Sequence, residues 1–190
     1  MENLLIVESP NKAKTIRQWL PKDKWNVFAS NGHIKNLPKQ QYSISLENNK
    51  VNAKWEILPE KKKLIEQLRE LISNSSKVYI GTDDDREGER IALDLIEHFK
   101  IKDYYRVLFH EITKENIVDS LKNGLYIDNN RTNSQKARRV IDRIIGYPIS
   151  SAIRDKFKKE NVVTDEELKS FGIGRVTAAA INILVQNERR

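Results

Sequence analysis

The 190-residue sequence predicts an α/β fold, a mainly parallel sheet flanked by helices and followed by a helical segment. Three observations predict it. Short apolar runs of strand length alternate with stretches of helical period, turn-forming residues separate them, and strand signals stop beyond about Asp128. The expected division is residues 1–128 for the sheet domain and 129–190 for an incomplete helical domain.

The elements follow in order. Leu4 to Val7 is a continuous apolar run of the kind buried on both faces of a parallel sheet. Ser9 and Pro10 suit an N-cap and first helical position, and Ala13, Ile16, Trp19 and Leu20 recur on one helical face. Trp25 to Ser30 reads as a second strand, closed by the turn Asn31-Gly32-His33 and a polar loop containing Pro38. Val51 to Leu58 reads as one extended segment, and the helix after Pro59 presents Leu64, Ile65, Leu68, Leu71 and Ile72. Val78-Tyr79-Ile80 is a buried strand, followed by a helix with Ile91, Leu95, Ile96 and Phe99 inward. Arg106 to Phe109 is a strand candidate, and Thr113 caps a helix with Ile117, Val118 and Leu121 that ends before Gly124. Further on, Ala137, Val140, Ile141, Ile144 and Ile145 define a helix face, a polar interval spans Lys156 to Ser170, and a last helix starts near Val176. The helical pattern is still running at Arg189-Arg190 with no stop signal, so the chain is expected to continue.

Composition excludes several chemistries. The chain has no cysteine, which rules out disulfides and thiolate zinc sites, and its three histidines are scattered. The apolar run near the amino terminus is too short for a signal peptide, and no stretch has membrane-spanning length, so a cytoplasmic protein without membrane contact is expected. The formal charge is +7, and residues 129–190 hold 13 basic against 7 acidic residues. Such concentration of positive charge suits a surface that neutralises a phosphate backbone.

The chemically richest stretch is Thr82-Asp83-Asp84-Asp85-Arg86-Glu87-Gly88-Glu89, which leaves the end of a buried strand. In an extended backbone Asp83, Asp85 and Glu87 would project to one side, where a hard cation such as Mg2+ neutralises them and still binds waters or phosphate oxygens. Glu8, just past the first strand, can join Asp83 and Asp85 if the two strands are neighbours, either as a ligand or as a general acid. Lys12 is placed to meet a phosphate. His33 follows a glycine turn that lets backbone approach a ligand. Arg138, Arg139 and Arg143 line up cations along a helix, with Asp142 as the i,i+4 partner of Arg138, and Gly172, Gly174 and Arg175 suit close approach to a nucleic-acid backbone.

These residues resemble the type IA DNA topoisomerases in order and spacing. The resemblance rests on residues 5–16 (Leu-Ile-Val-Glu-Ser-Pro-Asn-Lys-Ala-Lys-Thr-Ile), Gly32-His33, the acidic octet 82–89, Glu111-Ile112-Thr113 and residues 137–143 (Ala-Arg-Arg-Val-Ile-Asp-Arg). It implies that the first half is a Toprim domain and that the residues after about 129 begin the helical domain holding a single strand. It further implies Mg2+ held by Glu8, Asp83, Asp85 and Glu87, with Glu8, Lys12 and Arg86 as catalytic groups. His33, Arg138, Arg139, Asp142, Arg143, Tyr147, Gly174, Arg175 and Thr177 would contact DNA.

The activity implied is ATP-independent cleavage, passage and religation of one DNA strand, relaxing negative supercoils. The implied protein is a cytoplasmic, nucleoid-associated monomer. Two departures stand out. The family's Ser-Ala-Gly-Arg-Val-Gln is here Gly172-Ile173-Gly174-Arg175-Val176-Thr177, and none of Tyr42, Tyr79, Tyr104, Tyr105, Tyr126 or Tyr147 lies in the family's nucleophile motif. The partner domains with that tyrosine are expected carboxyl-terminal to this chain, which alone should not relax DNA. A free-standing Toprim nuclease and a non-catalytic single-strand-binding module are the alternatives.

Overall fold

The computed structural model describes residues 2–39, 41–109, 111–161 and 163–189. Arg190, the last residue of the pattern expected to run on, lies outside them. Four parallel strands form the central sheet in the order β2-β1-β7-β8: β1 is Asn3–Val7, β2 Trp25–Ala29, β7 Lys77–Gly81 and β8 Tyr104–Arg106. The strong sequence signal of β1 has a simple cause. It is central, so Leu4 and Ile6 face one hydrophobic layer while Leu5 and Val7 face the other, all fully buried.

Helices cover both faces. α1 (Pro10–Trp19) and α4 (Lys114–Lys122) pack Ala13, Ile16 and Ile117 against one side. α2 (Lys62–Ser73, after a 3₁₀ turn at Pro59–Lys61) and α3 (Arg86–Phe99) pack Ile65, Leu68, Ile91 and Leu95 against the other. Ser9 caps α1 by accepting from the Lys12 amide at 3.3 Å, and Thr113 caps α4 through Asn116 at 3.4 Å. Trp19 departs from expectation. Leu20 takes the buried place at the end of α1, at 7% exposure, and Trp19 is 42% exposed.

Other differences are local. Residues 51–58 are not one strand. Lys50–Ala53 (β5) pairs with Ile44–Glu47 (β4) in an antiparallel hairpin, whereas Glu56–Ile57 (β6) pairs with Lys35–Asn36 (β3). The hairpin had a readable signal in the alternation around Asn48-Asn49, whose positive φ values of 51° and 58° suit a tight hairpin turn. β8 ends at Arg106 instead of starting there, and Arg106 also exchanges two backbone bonds with Leu125.

The chain divides into two compact units, residues 1–37 with 55–136 and residues 38–54 with 137–190. The second contains the β4–β5 hairpin, the part of α5 (Asn129–Glu160) from Ala137 onward, α6 (Asp165–Ser170) and α7 (Arg175–Glu188). Pro148 lies inside α5. Ser150 ties the α5 surface to the chain before α7, with its Oγ accepting from the Ile173 amide at 2.9 Å and donating to the Ile173 carbonyl at 3.1 Å. Among the described residues no helix is long and apolar enough to cross a membrane.

Candidate functional site

Parallel register sets the site. Val7 pairs with Gly81, so Glu8 and the acidic octet leave neighbouring strands at the same carboxyl edge of the sheet. Glu8 is half-buried, with its carboxylate near the Asp83 backbone N–H. Burial raises its pKa above the ordinary glutamate value and the Asp83 charge adds to this, with a smaller push from Asp85; the Asp83 amide and Lys12 oppose them. Lys12, in the first turn of α1, rests its ammonium on Asp83.

The octet does not stay extended. Helix α3 begins at Arg86, capped by Asp85, whose Oδ1 accepts from the Gly88 amide at 2.7 Å. Glu87 therefore sits in a helical first turn, and the same-side projection of Asp83, Asp85 and Glu87 expected of a strand does not occur. His33 Nε2 lies 2.5 Å from Glu87 Oε1, and Gln135 Nε2 donates to Oε2 at 2.6 Å. Among the described residues no three carboxylates or imidazoles form a ready metal cage. Gly88 lets the helix press on the loop: a Cβ there would lie 2.3 Å from the Asp83 carbonyl oxygen. Arg86 opens α3 and is exposed.

Beneath the loop lies a residue that sequence reasoning took only for the start of a strand. Arg106, 1% exposed, donates to the carbonyls of Thr82 and Asp83 at 2.9 Å, of Val107 at 2.6 Å and of Ile80 at 3.2 Å. Its Nε donates to Glu89 Oε2 at 2.9 Å. One buried guanidinium thus fixes the backbone that presents Asp83. A charged residue directly after Tyr104-Tyr105 carries no sequence mark of burial. Asp94 was also missed; it is 1% exposed, accepts from Arg90 at 2.6 Å and stands 3.6 Å from His33 Nδ1.

In the second unit the expected DNA contacts are differently engaged. Arg138 is exposed and reaches Asp142 only at 4.0 Å, while Asp142 Oδ1 accepts from Arg175 Nε at 2.6 Å. Arg139 is half-buried. Arg143 turns inward to donate to the carbonyls of Pro38 at 2.6 Å and Gln41 at 2.7 Å, with its guanidinium over the Tyr147 ring. Burial lowers its pKa, and the Tyr147 charge works against that. Gly174 caps α7 with open space around its Cα, and Thr177 is exposed in the first turn.

The donor set suits a hard divalent cation. Carboxylate oxygens crowd at a strand edge, their mutual repulsion contributes to the raised Glu8 pKa, and an ammonium already lies on Asp83. A small hard cation can keep several waters, so one or two carboxylates suffice. Fold and site together define a class, α/β domains that gather carboxylates at the carboxyl edge of a parallel sheet.

Residues 3–112 match the Toprim domain, and the chain belongs to that family. Over its full length it is 38% identical to DNA topoisomerase 1 of Helicobacter pylori and spans 24% of that protein. Over 98% of its length it is 42% identical to DNA topoisomerase 1 of Aquifex aeolicus, of which it spans 33%. Full-length topoisomerase I from Thermotoga maritima superposes on 79% of this chain, with a TM-score of 0.72, 37% identity and 26% of that structure covered. The chain therefore spans about a quarter to a third of the relatives it matches.

Proposed function

We propose that this chain is the amino-terminal part of a type IA DNA topoisomerase, an isomerase that cleaves one DNA strand, passes another through the gap and religates it to relax negative supercoils. The observation that carries the reading is the meeting of Glu8, Lys12 and Asp83 at one sheet edge. A tyrosine hydroxyl from a later domain attacks the scissile phosphorus and releases its proton to solvent, the bond to the 3′ oxygen breaks, and the 5′ phosphate stays on the enzyme as a phosphotyrosyl ester. Glu8, whose raised pKa favours the protonated form, gives its proton to the departing 3′ oxygen. Lys12 leaves Asp83 to neutralise the phosphate, with Arg86 on the exposed side of the loop. Asp83 and Asp85 would hold Mg2+, with Glu8 and Glu87 within the same acidic edge; the ion supplies electrostatic stabilisation of developing charge.

The domain boundary proposed is 1–128 for the Toprim part and 129–190 for the start of the helical part. Arg138, Arg139, Asp142, Arg143, Tyr147, Gly174, Arg175 and Thr177 contact the single strand there, and His33 contacts it from the Toprim part. The whole protein is a cytoplasmic, nucleoid-associated monomer. The 190 residues alone should not relax DNA.

The test is a protein extended through whatever coding sequence follows residue 190. With Mg2+ it is expected to relax negatively supercoiled plasmid, and Glu8→Gln should lose most of that activity. A folded extended protein that neither cleaves nor relaxes DNA overturns the proposal.

A further inference from the structure

The first two turns of α5 grip the acidic loop through one helical face. Asp128, Arg131 and Gln135 are spaced three and four residues apart, so their side chains share that face. Asp128 starts the helix by accepting from the amides of Asn130 at 2.8 Å and Arg131 at 3.2 Å. Its own amide donates to Glu89 Oε1 at 2.6 Å, and the other oxygen of Glu89 is held by Arg106. That contact is part-buried and ends on the buried Glu89 carboxylate. The other two are different in kind. Arg131 pairs with Asp84, both partly exposed, and Gln135 donates to Glu87, whose side chain is 47% exposed. Gln135 itself is 4% exposed, and its Oε1 is buried without a partner. Its amide thus satisfies Glu87 and leaves its own oxygen unpaired.

Both oxygens of Glu87 are consequently occupied, one by His33 and one by Gln135. The Arg131 guanidinium adds a positive charge on the adjacent carboxylate. We infer that Arg131 and Gln135 form a latch that competes with a divalent cation for the acidic loop, which makes them positioning residues for that site. Loading the cation draws Glu87 off Gln135 and loosens the first turns of α5. By linkage, whatever holds those turns in place weakens cation binding by the same factor. The inference rests on the proposed cation site.

Titration of this chain with Mg2+ by calorimetry, and with Mn2+ by electron paramagnetic resonance, tests it. Gln135→Leu is expected to tighten cation binding about threefold to tenfold, the worth of one lost hydrogen bond. Arg131→Gln, at a half-exposed position that does not threaten folding, is expected to tighten it in the same direction. In a Glu87→Gln background the gain from Gln135→Leu should vanish, which a general loosening of the helix would not cause. Hydrogen exchange at residues 129–135 should speed up when the cation is added. Unchanged affinity in both single variants, an equal gain in the Glu87→Gln background, or unchanged exchange overturns the latch while leaving the cation site intact. No cation binding by the wild-type chain removes both.

Discussion

The two compact units treat their apolar residues in opposite ways. In the sheet unit the faces of α2 and α3 vanish into the core, with Leu68, Ile91 and Leu95 at most 1% exposed. In the helical unit much of the apolar surface stays open, although Val140 and Leu168 are buried. Ile149 is 43% exposed, Ile183 59% and Leu184 63%, and α7 buries no residue. Helical periodicity alone does not distinguish these cases, since both show apolar residues at i, i+3 and i+4. A strand between the helices does: β1 supplies apolar partners to both sides, and the helical unit has no such layer among the described residues. Stability should therefore reside in the sheet unit, and the acidic loop should inherit its rigidity from it.

Arg106→Leu would break that contrast most severely. It removes five side-chain hydrogen bonds and leaves Glu89, 3% exposed, buried without its counter-ion. Stranding a buried charge costs about 3–5 kcal/mol, so urea unfolding should show a loss of that size. Next comes a paired test of the comparison itself. Leu95→Ala should cost about 2–5 kcal/mol as a core cavity. Ile183→Ala in α7 should stay within about 0.5 kcal/mol, as an exposed substitution does. Equal losses at the two positions would erase the distinction between the units.

The smallest effect concerns Glu8. Because its native pKa is raised, the folded state holds a proton that the unfolded chain has released between the ordinary glutamate value and the native one. Stability contributed by this group is full below that window, falls as pH rises through it and is flat above. Glu8→Gln removes the ionisation while keeping the side chain's size and a carbonyl acceptor. Without divalent cation, its melting temperature should exceed the wild type at pH 7.5, and the gap should close toward pH 4. A gap independent of pH would show that the Glu8 charge is not destabilising in the fold.

Much of the sheet unit was legible in the sequence because its signals are local. The apolar run Leu4 to Val7, Ser9 with Pro10, and the acidic octet after Val78 to Ile80 each announce an element over a few residues. Expecting Glu8 beside Asp83 needed only that β1 and β7 be adjacent and parallel, as they are. What stayed hidden depends on partners far along the chain. Gln135 is 48 residues from the Glu87 it holds, and Arg106 is 17 from Glu89. Glu87 was misplaced because Asp85 caps a helix, and spacing in an extended chain says nothing once the backbone turns. Likewise α5 is one helix of 32 residues despite Pro148, a residue that ordinarily marks a helix end.

Catalysis and latch alike depend on the sheet edge being a cation site, and calorimetric titration of the 190-residue chain with Mg2+ tests that most directly. The wild type is expected to bind, Asp83→Asn to weaken binding about tenfold or more, and Asp119→Asn, on the exposed side of α4 beside Lys122, to leave it unchanged. Equal binding by wild type and Asp83→Asn would contradict it.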